Sequence, residues 1–288
     1  MSRVLITGSP RSGTTPIGSL IQKFHRFKVF YEPFHPHHGH TKISEWYVDE
    51  RTEEIDSIIE DIHFLRPCLK KGIRANDSIF MTSIKSIIGA RSNVTRISNK
   101  LFLNSDDTLV LKDPTAVFLS DKLMQEHNYK VLVTIRNPFS IAASHKRKGW
   151  MSGDYSRFFD RYVVKIGEFR GEYNTGNAAV RSAILWRLIY DYVSNLEGRH
   201  MIVNVDKFVQ YPLEELGKIA EFLDCHVTKS LENAVEKRYV NKNRDVKRTH
   251  DFVRNPQQLI NDWKSELNHD EIDFVQRCCG DLWNKINI

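Results

Sequence analysis

Five short runs of apolar, largely β-branched residues punctuate the chain: RVLIT at 3–7, FKVFY at 27–31, TLVLK at 108–112, KVLVTI at 130–135 and MIVNV at 201–205. Each is too short for a helix and nearly continuous in apolar character, the pattern of a strand covered on both faces. Helical periodicity fills the stretches between, most clearly at 178–196 and 213–223. The alternation predicts an α/β fold, a three-layer arrangement of a mostly parallel sheet of about five strands flanked by helices. Asp113-Pro114, Asn137-Pro138 and Asn255-Pro256 each set a capping side chain before a proline whose missing N–H costs nothing at a helix start. Asn268 with Glu271 three residues on predicts a capping box opening a last helix that runs toward Ile286. Residues 66–105 show no such period and are expected to be irregular, part of an insertion over 35–105 beside the sheet's active edge. With no repeat or linker in view, 1–288 is expected to form a single domain.

Composition narrows the class. The chain has 288 residues, 41% hydrophobic and 27% charged, enough to bury a full core. No apolar run approaches the roughly 18 residues that would span a bilayer, and MSRVLITGSP reads as a strand entering a turn, so a cytoplasmic location is expected. Cys68, Cys225, Cys278 and Cys279 lack a repeated spacing, which favours reduced thiols over a disulfide framework or a zinc site.

The net charge of +6 is segregated. Residues 66–100 carry eight Lys or Arg against Asp77 alone, 136–150 carry four basic and no acidic residues, and 236–254 carry seven against three. Residues 45–61 hold eight acidic residues against Arg51. Such concentration suits a polyanionic ligand held at one part of the surface, with solvated helix faces as the plain alternative for 66–100. That block has no aromatic interleaving, and nucleic acid is not expected as a partner.

The first strand runs into Gly8-Ser9-Pro10-Arg11-Ser12-Gly13-Thr14-Thr15 and then an apolar helical pattern. Strand, glycine-bounded loop and helix together cradle an anion with backbone N–H groups at a helix N-terminus. Thr14 stands where a Walker A loop has lysine, and the cation lies instead at Arg11, which disfavours ATP chemistry. A second motif, Val131-Leu-Val-Thr-Ile-Arg136-Asn137-Pro138, is followed by Ser144 eight residues after the arginine.

These two motifs resemble the 5′-phosphosulfate loop and the 3′-phosphate motif of PAPS-dependent sulfotransferases, closest to bacterial and carbohydrate-type members. The resemblance implies a P-loop-like fold and sulfuryl transfer from PAPS to a hydroxyl or amine, with release of 3′,5′-ADP and no metal. It implies that Arg11, Ser12, Gly13, Thr14 and Thr15 hold the 5′ side of the donor, and that Arg136 and Ser144 hold the 3′-phosphate. The family's closing loop would fall in the basic 242–254 stretch, where its glycines are absent and Arg254 is the candidate contact. Val205-Asp206-Lys207-Phe208 resembles a further family segment, with Val205 in place of the usual tyrosine.

For the reaction itself, Arg11 would neutralise charge on the transferred group, and Lys112, ending TLVLK, is placed like the lysine that in the family's cytosolic branch serves the leaving oxygen, unless it is a solvated strand-end lysine. Glu32, in Tyr31-Glu32-Pro33-Phe34, is the candidate base, as in carbohydrate-sulfating relatives. Asp113 competes with it, although Asp before Pro most simply caps a helix. The tract His35-Pro36-His37-His38-Gly39-His40 reads as an exposed loop, a possible source of an auxiliary base rather than a metal site. The acceptor, a small molecule, glycan or lipid, is not written in the sequence. A P-loop kinase of a small metabolite and a non-enzymatic polyanion binder stand as the alternatives.

Overall fold

The structure is a computed structural model that describes residues 2–66, 68–73, 77–151, 156–161, 167–240 and 261–286. In chain order come β1 (Ser2–Gly8), α1 (Thr14–Ile21), β2 (Phe27–Tyr31), α2 (Ile55–His63), α3 (Ile79–Ile88), α4 (Arg91–Phe102) and β3 (Thr108–Lys112). A 3-10 turn Pro114–Leu119, α5 (Ser120–His127), β4 (Tyr129–Ile135) and α6 (Pro138–Arg147) follow. Beyond them lie the helix Ala178–Val193, β5 (His200–Asn204) and the helices Val205–Gln210, Pro212–Phe222 and His269–Ile286.

The five strands stand in the order β2-β3-β1-β4-β5, with β3 parallel to both β1 and β2. Val4, Leu5 and Ile6 on β1 and Leu109, Val110 and Leu111 on β3 are essentially fully buried, as a sheet covered on both faces requires. The loop leaving β1 lies where the strand order reverses, the usual ligand position in an open α/β sheet. This is the α/β architecture, a five-stranded sheet with flanking helices, expected from the alternation of elements.

Two compact units divide the chain, one of residues 1–8, 17–133 and 197–201, the other of 9–16, 134–196 and 202–288. In the first, β1, β2 and β3 pair and α4 packs on β2. In the second, the helix Ala178–Val193 packs between α6 and His269–Ile286 and buries ten of its sixteen residues. The Asn268–Glu271 capping box is complete: each backbone N–H donates to the other's side chain at 2.9 Å. Glu271 also accepts from Lys146 and Asn177, at 2.7 Å each.

Three expectations need correction. Residues 66–105 are not irregular, since α3 and α4 occupy most of the stretch and α2 lies within 35–65. Within Ile79–Ile88, Thr82, Ser83, Lys85 and Ser86 interrupt the apolar residues at helical spacing, and Ser78 caps the helix, its side chain accepting from the Met81 N–H. The last strand ends at Asn204 rather than 205, because the Asn204 side chain caps the next helix by accepting from the Asp206 and Lys207 N–H groups. The histidine tract is not an exposed loop: His37 is exposed, but His40 is buried and bonded to Asp61 at 3.1 Å. The Asn255-Pro256 helix start, Arg254 and the remainder of 242–254 lie outside the described residues.

Candidate active site

Within the second unit, the loop after β1 is tied down by its own hydroxyls. The Ser12 N–H donates to the Ser9 carbonyl at 3.0 Å, closing a turn. Ser12 Oγ and Thr134 Oγ1 lie 2.6 Å apart, the Ser9 N–H donates to Tyr190 Oη, and Tyr190 Oη donates to the Thr134 carbonyl at 2.7 Å. Ser12 is therefore buried in the loop's frame, its hydroxyl bonded to that of Thr134 on β4. Gly13 has φ +98°, and a Cβ there would meet Val205 Cγ2 at 2.9 Å, so a side chain is excluded both by the backbone and by its neighbour. Thr14 is buried at the start of α1, where the first backbone N–H groups have no intrahelical carbonyl to bond. Thr15, half-buried, follows it in the same turn.

Arg11 is exposed and left-handed at φ 71°, an unusual backbone for an arginine. Its Nε donates to Ser144 Oγ at 3.0 Å, and its guanidinium carbon lies 5.8 Å from the centre of the Trp150 ring. Arg11 and Ser144 come from the two separate sequence motifs, and the fold brings them together. Ser144 reaches this position because Asn137 caps α6, accepting from the Phe139 N–H, and because α6 then carries its small residues inward.

Arg136 is half-buried just past the end of β4, its Nε 3.6 Å from Asp206 Oδ1. Asp206 Oδ2 also accepts from the Asn137 N–H at 2.8 Å, and Trp186 Nε1 donates to the Arg136 carbonyl at 3.0 Å. Burial pulls the Arg136 pKa down and pushes that of Asp206 up, each opposed by the other's charge. Asp206 appears in the sequence only as part of a family-like segment; that it supports Arg136 required the fold.

Beside Ser144, His145 is buried with Nδ1 2.7 Å from Ser182 Oγ. Burial, with the nearby Arg11 charge, pushes its pKa down to about 4, so it is neutral in the folded chain near pH 7. A base with a lowered folded pKa leaves its stability contribution intact above pH 6.5 and loses it as pH falls from there toward 4. Denaturation titrations of wild type and His145→Asn should therefore diverge in slope across that window, by roughly 3 kcal/mol in total.

Within the first unit, Lys112 is buried at the end of β3, which removes the solvated alternative. Its Nζ pairs with Glu32 Oε1 and lies 5.8 Å from the centre of the Tyr31 ring. A Cβ at Gly18 would meet Lys112 Cγ at 3.1 Å, so that glycine leaves room for the lysine stem. Glu32 is left-handed at φ 49°, and its N–H donates to the Lys112 carbonyl at 2.8 Å. Its other carboxylate oxygen lies 3.0 Å from His38 Nε2. Burial alone would raise the Glu32 pKa, but the His38 hydrogen bond and the Lys112 ammonium hold it far below the usual carboxylate range. The His38 ring stacks on His35 with centroids 3.8 Å apart, and the Ser92 hydroxyl donates to the His38 carbonyl at 2.6 Å.

Asp113 stands differently. One oxygen accepts from the Thr115 N–H and hydroxyl and the other from the Phe34 N–H, at 2.9, 2.6 and 2.7 Å. Fully buried, with its pKa pushed up to about 6 first by burial and then by the Glu32 charge, it caps the turn after β3 and ties it to the chain after β2. Glu32, His35 and His38 present donor atoms within 4.8 Å of one another. A metal ion there would have to compete with the Lys112 ammonium for Glu32.

The family model described as the sulfotransferase domain matches residues 1–286. The chain belongs to the sulfotransferase family. Carbohydrate sulfotransferase 1 of Danio rerio is 25% identical to this sulfotransferase over 93 residues, 32% of this chain and 22% of that relative's length. Among solved structures, sulfotransferase STF9 from Mycobacterium avium aligns with 99% of this chain and 77% of its own, at 12% identity and TM-score 0.48. Mouse sulfotransferase SULT7A1 complexed with PAP aligns with 98% of this chain and 84% of its own, at 10% identity and TM-score 0.46.

Proposed function

We propose that this sulfotransferase, acting as one domain, moves a sulfuryl group from PAPS to a hydroxyl or amine acceptor and releases 3′,5′-ADP. The observation that carries this reading is the Arg11–Ser144 hydrogen bond, in which groups from two phosphate-type motifs converge at 3.0 Å. PAPS supplies the activated sulfuryl group. The loop N–H groups and Arg11 hold its 5′ side, with Gly13, Thr14 and Thr15 shaping the loop and Ser12 bracing it. Arg136, oriented by Asp206, and Ser144 serve the 3′-phosphate, joined by Arg254 from outside the described residues.

The acceptor oxygen or nitrogen forms a bond to sulfur as the bridging S–O bond breaks, and the electron pair of that bond leaves with 3′,5′-ADP. Lys112 Nζ moves its charge from Glu32 toward the departing oxygen. Glu32, thereby relieved of its ammonium partner, gains proton affinity and takes the acceptor proton. His38 keeps the carboxylate oriented. No metal is needed for any of these steps. Among the described residues no helix is long and apolar enough to cross a membrane, and a cytoplasmic location belongs to the same reading.

Calorimetry with 3′,5′-ADP and with ATP, each with and without Mg²⁺, tests it. Metal-independent binding of 3′,5′-ADP, weakened about tenfold or more in Arg11→Ala through loss of a charge-assisted contact, is the expected result. Binding of ATP that requires Mg²⁺ would replace the reading with a kinase. Steeply salt-dependent binding of long polyanions without a saturable nucleotide site would replace it with a polyanion binder.

A further inference from the structure

α3 is a ten-residue helix with no fully buried residue, Thr82, Ile84 and Lys85 being half-buried. Ile79, Phe80 and Ile87 on it are 88%, 73% and 85% exposed, and Leu101 and Phe102 at the end of α4 are 70% and 63% exposed. Ten residues are too few to hold a helix in water by propensity alone, so its stability calls for an apolar surface to cover it. Phe80, Ile84, Ile87 and Ile88 recur at i, i+4, i+7 and i+8, one broad face. Lys85 lies off that face, paired with Asp77 at 2.7 Å.

Charge identifies what covers it. From Ser78 to Ser105 there is no acidic residue, and the flanking Asp77 and Asp106 are paired with Lys85 and Arg26, while Arg91, Arg96 and Lys100 fall in the same interval and Lys71 shortly before it. Lys71, Arg91 and Lys100 are exposed. A protein partner is recognised by a mixture of charges and by a shaped pocket. Protruding isoleucine and phenylalanine side chains among cations of a single sign instead match an interface that is uniformly negative and without fixed shape. We propose that α3, with the end of α4, docks this protein on an anionic lipid bilayer, the apolar side chains entering the headgroup boundary and the flanking lysines and arginines meeting acidic headgroups.

Flotation of the full chain with vesicles of phosphatidylcholine alone, and of phosphatidylcholine with one-third phosphatidylserine, tests this. Binding to the anionic vesicles is expected, weakened by salt, and reduced about tenfold or more by the double substitution Phe80→Asp/Ile87→Asp. Because Phe80 and Ile87 are among the most exposed apolar side chains, that variant should keep the wild-type circular dichroism spectrum and 3′,5′-ADP affinity. If it does not fold, Ile79→Ser in the same assay takes its place, with a smaller reduction expected. Lys71→Glu/Lys100→Glu should weaken binding to the anionic vesicles alone. Three results would overturn the proposal: no flotation with anionic vesicles, flotation unchanged by the apolar substitutions, or self-association abolished by them without any vesicle binding, which would make a second copy the occupant. Failure of nucleotide binding in wild type would count against the sulfotransferase reading and leave this one standing.

Discussion

Glu32→Gln is expected to leave the affinity for 3′,5′-ADP within about twofold of wild type and to lower turnover by roughly a hundred- to ten-thousand-fold, the range removed with a general base. The substitution keeps the shape of the side chain and its capacity to accept a hydrogen bond from Lys112, so the structural loss is small. What disappears is the site for the acceptor proton. Three features of Glu32 support the proposed role. Its carboxylate is held ionised by Lys112 and His38, it keeps part of its surface open to solvent, and it sits at a backbone angle that an unsupported glutamate avoids. Asp113, in contrast, is fully buried and already accepts from three donors. Steady-state kinetics beside calorimetry separates the two quantities. If turnover is unchanged, the proton goes elsewhere, and Asp113→Asn and His38→Gln become the next variants.

Arg136→Ala is expected to abolish measurable 3′,5′-ADP binding and also to destabilise the fold by about 2 to 4 kcal/mol, because it leaves a buried carboxylate at Asp206 without its cation. The two losses have separate causes and can be separated. Adding Asp206→Asn removes the stranded charge, so the double variant should recover most of the stability, read from chemical denaturation, while donor binding remains lost. Recovery of binding together with stability would show that Arg136 acts only as a structural partner of Asp206. Full stability in the single variant would mean that Asp206 takes up a proton at little cost, in line with the direction in which burial moves its pKa.

Much of this architecture was legible in the residues. The runs at 27–31 and 108–112 are strands β2 and β3 to the residue, because near-continuous apolar segments bounded by polar ones have few other places to go. Asn137, Asp113 and Asn268 act as helix caps because their side chains answer backbone N–H groups a few residues away, an interaction local enough to read from spacing. The phosphate-type motifs were visible for the same reason, since loop, helix start and arginine lie within one short stretch each.

Other features depended on contacts between residues far apart in the chain. Lys112 and Glu32 are eighty residues apart, and only the pairing of β2 with β3 makes their ion pair and buries the lysine. Arg11 meets Ser144 across 133 residues, and Asp206 supports Arg136 and Asn137 from the far side of a helix and a strand. The hydroxyl of Ser12 lies 2.6 Å from that of Thr134, 122 residues away, a contact that a loop motif cannot announce. That the apolar residues of α3 stay largely exposed is decided by the fold, since the same spacing in sequence would suit a helix packed on the core. Sequence by itself determined the elements, their caps and the two anion motifs, all set by interactions within a few residues. Tertiary structure alone decided which charges are paired, which hydroxyls are occupied and which apolar helix is left uncovered, because burial and Coulombic partners depend on distances that only the folded chain defines.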